Sequence, residues 1–92
     1  MAKAIITFKI MPGDAGVDLD PIKEQAQKIA KENGAVGEMV VEEVPIAFGL
    51  KSVMLKAMYD VDGNDFDAIA EKMATIEKVQ TAEVAGMDLP LG

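Results

Sequence analysis

Glu42-Glu43-Val44-Pro45-Ile46-Ala47-Phe48-Gly49-Leu50-Lys51 is the stretch that cuts one long apolar run into two strands. Pro45 cannot donate to a sheet ladder, so regular pairing should stop at or before it. Gly49 permits a positive φ and close approach by another backbone. Between them, Ile46, Ala47 and Phe48 make a connection far more apolar than turns usually are. An aromatic at such a tip is either folded back into its own core or held out for a partner, and the residues alone leave both open.

Upstream of this connection, about residues 38–45 read as a strand whose charges and proline suit a sheet edge. Downstream, about residues 51–60 form a longer strand. Val53, Leu55, Ala57 and Tyr59 share one of its faces, and Ser52, Met54, Lys56 and Met58 the other. Further upstream, residues 4–11 alternate in the same way, with Ala4, Ile6, Phe8 and Ile10 against Ile5, Thr7 and Lys9. Pro12-Gly13 ends that strand.

Two amphipathic helices separate the strands. Asp18 is an N-cap by type, and Ile22, Ala26, Ile29 and Ala30 recur at helical spacing before Asn33-Gly34 stops the helix. This predicts a helix over about 19–32. After the turn Asp62-Gly63, Asn64 is expected as the N-cap of a second helix, with Phe66, Ile69, Ala70 and Met73 on its apolar stripe and its end near Thr75. A last strand follows over about 78–85, with Gln80, Ala82 and Val84 expected inward. The tail from Gly86 to Gly92 has no clear pattern.

The order β-α-β-β-α-β is the ferredoxin-like plan. The expected fold is therefore an α+β sandwich: a four-stranded antiparallel sheet with both helices on one face, formed as a single domain by residues 1–92. The first and third strands, the most apolar, belong at the centre. The second and fourth, carrying Glu38, Glu42, Glu43, Lys78 and Glu83, belong at the edges.

Composition excludes several functions. The net charge is −7 and the basic residues are all lysines, scattered along the chain. Direct binding of nucleic acid needs clustered Lys and Arg, so it is not expected. Without His or Cys, zinc sites and the common nucleophile–base pairs are lost, which argues against an enzyme and against a metal or cofactor. No apolar run of 18 residues is present, so no membrane span is expected. The absence of cysteine and of a signal-peptide pattern fits a cytoplasmic protein.

Other motifs have simpler explanations. Asp60, Asp62 and Asn64 have the spacing of a calcium loop, with Glu71 in twelfth place, but Asp65 stands where that loop requires glycine. A turn plus a helix cap accounts for them. Pro12-Gly13-Asp14-Ala15-Gly16 lacks the lysine and hydroxyl of a phosphate loop, and its acids would repel phosphate. Glu42 and Glu43, adjacent on a strand, point to opposite faces and make no catalytic pair; a solvated edge is the expectation for both. Met54 and Met58 should face away from the helices.

Pro45-Ile46-Ala47-Phe48-Gly49-Leu50-Lys51, followed after the second helix by Val79-Gln80-Thr81-Ala82-Glu83-Val84, resembles the guanine-nucleotide-exchange domain of translation elongation factor 1-beta. The family pattern runs close to P-I-A-F-G-L-K and then V-Q-S-x-D-I. The resemblance covers essentially the whole chain, which looks like the stand-alone archaeal form. It implies a monomer that binds the GTPase elongation factor 1-alpha and speeds release of GDP, with no covalent chemistry of its own. It also implies that Phe48 is exposed and enters a pocket of the GTPase. Ile46, Ala47 and Gly49 accompany it, with Lys51 and Gln80 as polar contacts. Eukaryotic members carry a next-to-last lysine that reaches the magnesium and phosphate region, and Leu89 stands at that position here. The resemblance therefore does not carry displacement of magnesium by a C-terminal ammonium group over to this chain. The competing class is a ferredoxin-like regulatory or self-associating ligand-binding module, which would leave Phe48 packed. A phosphate-cleaving enzyme of acylphosphatase type would need an arginine, and there is none.

Overall fold

The alternation in β1 (Lys3–Pro12) and β3 (Lys51–Asp60) places Ala4, Ile6, Phe8 and Ile10 beside Val53, Leu55, Ala57 and Tyr59 in one buried layer. The two strands pair antiparallel in the middle of the sheet, from Lys3 opposite Asp60 to Ile10 opposite Val53. A computed structural model describes this and the rest of residues 3–89. The remaining strands are β2 (Val36–Pro45) and β4 (Val79–Asp88). The strand order is β2-β3-β1-β4 and every pairing is antiparallel, so the most apolar strands are central. The tail residues Pro90-Leu91-Gly92 lie outside the described residues.

Helices α1 (Leu19–Glu32) and α2 (Phe66–Ala74) cover the same face of the sheet. Leu19, Ile22, Ala26 and Ala30 from α1 join Ile69, Ala70 and Met73 from α2 in the one core cluster. Each buried Leu, Ile or Met side chain there contributes about 1.5–3 kcal/mol. Phe8 and Tyr59 meet edge to face at 6.1 Å, and Tyr59 meets Phe66 at 5.4 Å. The Tyr59 hydroxyl donates to the Ala30 carbonyl at 3.3 Å, and burial pushes its pKa up to about 12. The architecture is the expected ferredoxin-like α+β sandwich.

Caps set the helix ends. Asp18 accepts from the Asp20 amide at 3.1 Å, as its type suggests. Gly34, at φ 109°, carries the chain out of α1. At α2 the cap is Asp65, one residue later than expected: its Oδ1 accepts from the Ala68 amide at 3.1 Å. Asn64 instead donates its side-chain amide to the Asp60 carbonyl at 2.7 Å and closes the preceding turn. Both residues are good caps by type, and the turn geometry decides between them.

The strand limits differ from the expectation in β2 and β4. β2 begins at Val36, with Gly37 at φ 74° and a register shift between Val36 and Val40. β4 runs on through Gly86 to Asp88. Two bulges make this possible. Met11 pairs with Thr81 but Pro12 with Val79, so Gln80 is the extra residue; Thr7 pairs with Gly86 but Phe8 with Val84, so Ala85 is the second. The first bulge reverses the alternation. Val79, Ala82 and Val84 pack on the core, while Gln80, expected inward, is exposed.

The outer sheet face carries Ile5, Thr7 and Lys9 opposite Met58, Lys56 and Met54. Met54 and Met58 thus turn away from the helices, and the exposed Val36, Val40 and Val44 line the edge beside them.

Candidate functional site

The β2–β3 connection begins where Pro45 pairs with Lys51, the last rung of the ladder. Beyond it the Ile46 amide donates to the Leu50 carbonyl at 2.8 Å, and the Leu50 amide donates to the Ala47 carbonyl at 3.2 Å. Phe48 sits at φ 60°, ψ 33° and Gly49 at φ 75°. Two successive positive φ values inside a four-residue turn, closed by that Leu50-to-Ala47 bond, are the signature of a type I′ turn. Such a turn matches the right-handed twist of the flanking strands. Glycine holds the second position without strain. Phenylalanine at the first costs about 1 kcal/mol or more, since a Cβ crowds the left-handed region.

That backbone throws the ring outward. Phe48 is 95% exposed, and its neighbours Ala47 and Gly49 are exposed as well. Ile46 and Leu50 are half-buried and form the neck of the tip. A large apolar side chain held in a strained conformation, with nothing of its own chain to pack on, contributes nothing to the core. It is available to another molecule.

Glu43 braces the base of this tip. It lies opposite Val53, on the helix-facing side of the sheet. Its carboxylate accepts a hydrogen bond from Lys23 of α1, and Lys51 lies 3.9 Å away on the first residue of β3. Lys23 also stands 3.8 Å from Asp20. The hydrogen bond from Lys23 holds the Glu43 carboxyl below the usual glutamate range, and the same bond raises the pKa of Lys23. Glu43 is exposed on the edge strand, as its sequence leads one to expect, but the sequence reading does not include its link to Lys23. The signal that could have found it is parity: Glu43 shares its strand face with Met39 and Val41, which pack on the core.

A group with a depressed folded pKa stabilises above its unfolded value and loses that effect as pH falls through the folded one. Lys23 is the converse and loses its effect only in strong alkali. The melting temperature of the wild type should therefore exceed that of Glu43→Gln by a constant margin near neutrality. Thermal melts should show the margin shrinking as the pH falls below the ordinary glutamate value and lost once it falls through the depressed value of the folded chain. A margin that persists in acid would show that the charge on Glu43 does not produce it.

The other expected contact residues are less closely grouped. Lys51 is exposed beside the tip but leans back toward Glu43. Gln80 lies at the same end of the sheet, since Val79 pairs with Pro12, and the Gly13 amide donates to the Lys78 carbonyl at 3.1 Å. It stands on the far edge, two strand spacings or about 10 Å from β3. Its bulge, not its place in the alternation, is what exposes it. Between the tip and the start of α1 lies a cleft of about 260 Å³ lined by Pro12, Asp14, Val17, Asp18, Gly49 and Lys51. Leu89, exposed, follows the end of β4 at the opposite end of the molecule, where Asp88 pairs with Ile5.

The calcium-like residues have structural work. Asp60 pairs with Lys3 at 2.6 Å, and Asn64 and Asp65 close a turn and cap a helix. Among the described residues no cluster of three metal-ligating side chains exists, and no helix is long and apolar enough to cross a membrane.

Residues 5–89 match the model of the EF-1 guanine nucleotide exchange domain. The chain is 38% identical over 78 residues to elongation factor 1-beta of Pyrococcus horikoshii, covering 84% of each. It is 33% identical over 90 residues to elongation factor 1-beta of Archaeoglobus fulgidus, covering 97% of this chain and 99% of the relative. The protein of the same name from Methanococcus maripaludis is 33% identical over 89 residues, with the same coverage.

Proposed function

The chain belongs to the EF-1 guanine nucleotide exchange domain family, and from that premise we propose that it promotes GDP release from elongation factor 1-alpha by inserting the Phe48 tip into the GTPase. The observation that carries the mechanism is the ring of Phe48, 95% exposed on a left-handed backbone at a hydrogen-bonded tip. An exchange factor must bind the nucleotide-free GTPase more tightly than the nucleotide-bound one, and nucleotide then weakens the factor's hold by the same factor. A rigid aromatic anchor is suited to this. Its conformation is fixed before contact, so little ordering is charged against binding.

Ile46, Ala47 and Gly49 complete the tip, with Lys51 and Gln80 as polar contacts at the same end of the sheet. No bond is made or broken on this protein, so no nucleophile, general base, metal or cofactor is required. With Leu89 in the place of the family's lysine, exchange rests more on the Phe48 tip than on a C-terminal ammonium group. The domain acts as a single unit in the cytoplasm, away from nucleic acid and membrane.

Release of a fluorescent GDP analogue from elongation factor 1-alpha, with wild type and with Phe48→Ala, tests this function. Free in solution the domain is a monomer, its edge strands carrying Glu38, Glu42 and Glu83. Gel filtration at micromolar concentration should give the monomer mass. A persistent dimer would favour a self-associating module.

A further inference from the structure

We propose that Glu43 is a positioning residue for the exchange tip, acting through its tether to Lys23 of α1. The inference rests on the function proposed above. The tip itself has few means of fixing its angle to the body. No side chain from Ile46 to Leu50 is fully buried, and the tip's internal hydrogen bonds tie it only to itself. Pro45 removes a donor from the last rung, and the Ser52 hydroxyl reaches back to the Val44 carbonyl at only 3.3 Å. A two-stranded end of this kind bends and twists easily.

Glu43 stands two residues before Pro45 and touches both sides of the problem. One carboxylate oxygen takes the hydrogen bond from Lys23, which is anchored in α1 by the neighbouring Ile22 in the core. The other oxygen lies 3.9 Å from Lys51, the first residue after the tip. The three side chains run in a line from helix to outgoing strand to returning strand. Glu43 and Lys51 line the cleft below Gly49. Without the tether the tip samples more orientations, and only some present Phe48 correctly. Apparent affinity falls by the fraction that do, while the rate in the assembled complex is unchanged. Partly exposed ion pairs are modest, so the expected loss is about three- to fivefold.

The experiment is a titration of the full chain against elongation factor 1-alpha loaded with fluorescent GDP. Glu43→Gln and Lys23→Met should each raise the concentration for half-maximal release about three- to fivefold. The maximal rate should stay within about twofold of wild type. The double variant should be no worse than either single one, because both remove one interaction. Lys23→Arg, which keeps the link, should behave as wild type. In a Phe48→Ala background Glu43→Gln should have no further effect, since no ring is left to aim. The proposal is overturned if either single variant is unchanged, or if their effects multiply. It is equally overturned if Glu43→Gln alone is impaired, which marks direct contact of Glu43 with the GTPase. A fall in the maximal rate accompanying a lower melting temperature overturns it too, as general loss of structure. A wild-type chain that releases no GDP sinks the function and the tether together. An active wild type with unaffected variants sinks the tether alone.

Discussion

Phe48→Ala is expected to slow GDP release from elongation factor 1-alpha at least about tenfold while leaving the domain folded. The first half follows from what a buried aromatic anchor is worth at an interface, about 2 kcal/mol or more. The second half follows from the ring's isolation. At 95% exposure it contacts too little of its own chain for its loss to open a cavity. Alanine also occupies the left-handed region at no greater cost than phenylalanine, since the strain comes from the Cβ common to both. Circular dichroism and urea unfolding should therefore overlay those of the wild type. An unchanged release rate in a folded variant would remove the anchor from the mechanism. Unfolding of the variant would mean that the ring supports the fold.

Phe8→Ala should do the opposite, destabilising the domain by about 3–5 kcal/mol. Phe8 is fully buried at the centre of β1, between Leu55 of β3 and Val84 of β4, with its ring against Tyr59. Truncation leaves a cavity where helix and sheet layers meet, and the paired strands on both sides cannot move in to fill it. Against a typical domain stability of about 5–15 kcal/mol this is a large fraction. Urea unfolding should show a lower midpoint with an unchanged slope. A loss under about 1 kcal/mol would mean that the core around Tyr59 repacks freely. The same residue type, forty positions along the chain, thus has opposite consequences, because one ring is inside the sandwich and the other outside it.

Much of the fold was legible because strand and helix periods differ so clearly here. The alternation of Ala4, Ile6, Phe8 and Ile10 and of Val53 through Tyr59 could belong only to half-buried strands, and the acids and proline of β2 marked an edge. What was not legible was local. Asp65, not Asn64, caps α2, because the choice between adjacent capping types depends on the turn that delivers them. Gln80 was expected inward because alternation has no means of announcing a bulge. At the site, Pro45 and Gly49 marked the connection, but the residues could not decide where the ring went. A left-handed conformation is expected of Gly49 and not of Phe48, and it is the Phe48 backbone that directs the side chain outward. The Lys23–Glu43 link joins residues 20 apart in sequence, a separation that carries no local signal.

The antiparallel pairing has a practical corollary for anyone instrumenting this molecule. Phe48 and Leu89 occupy opposite poles of a body whose longest dimension is 42 Å. A dye placed at Leu89 would therefore report on its own pole separately from the pole that carries the aromatic. A signal change there on docking would tell whether a partner that takes the ring also reaches across the length of the sheet.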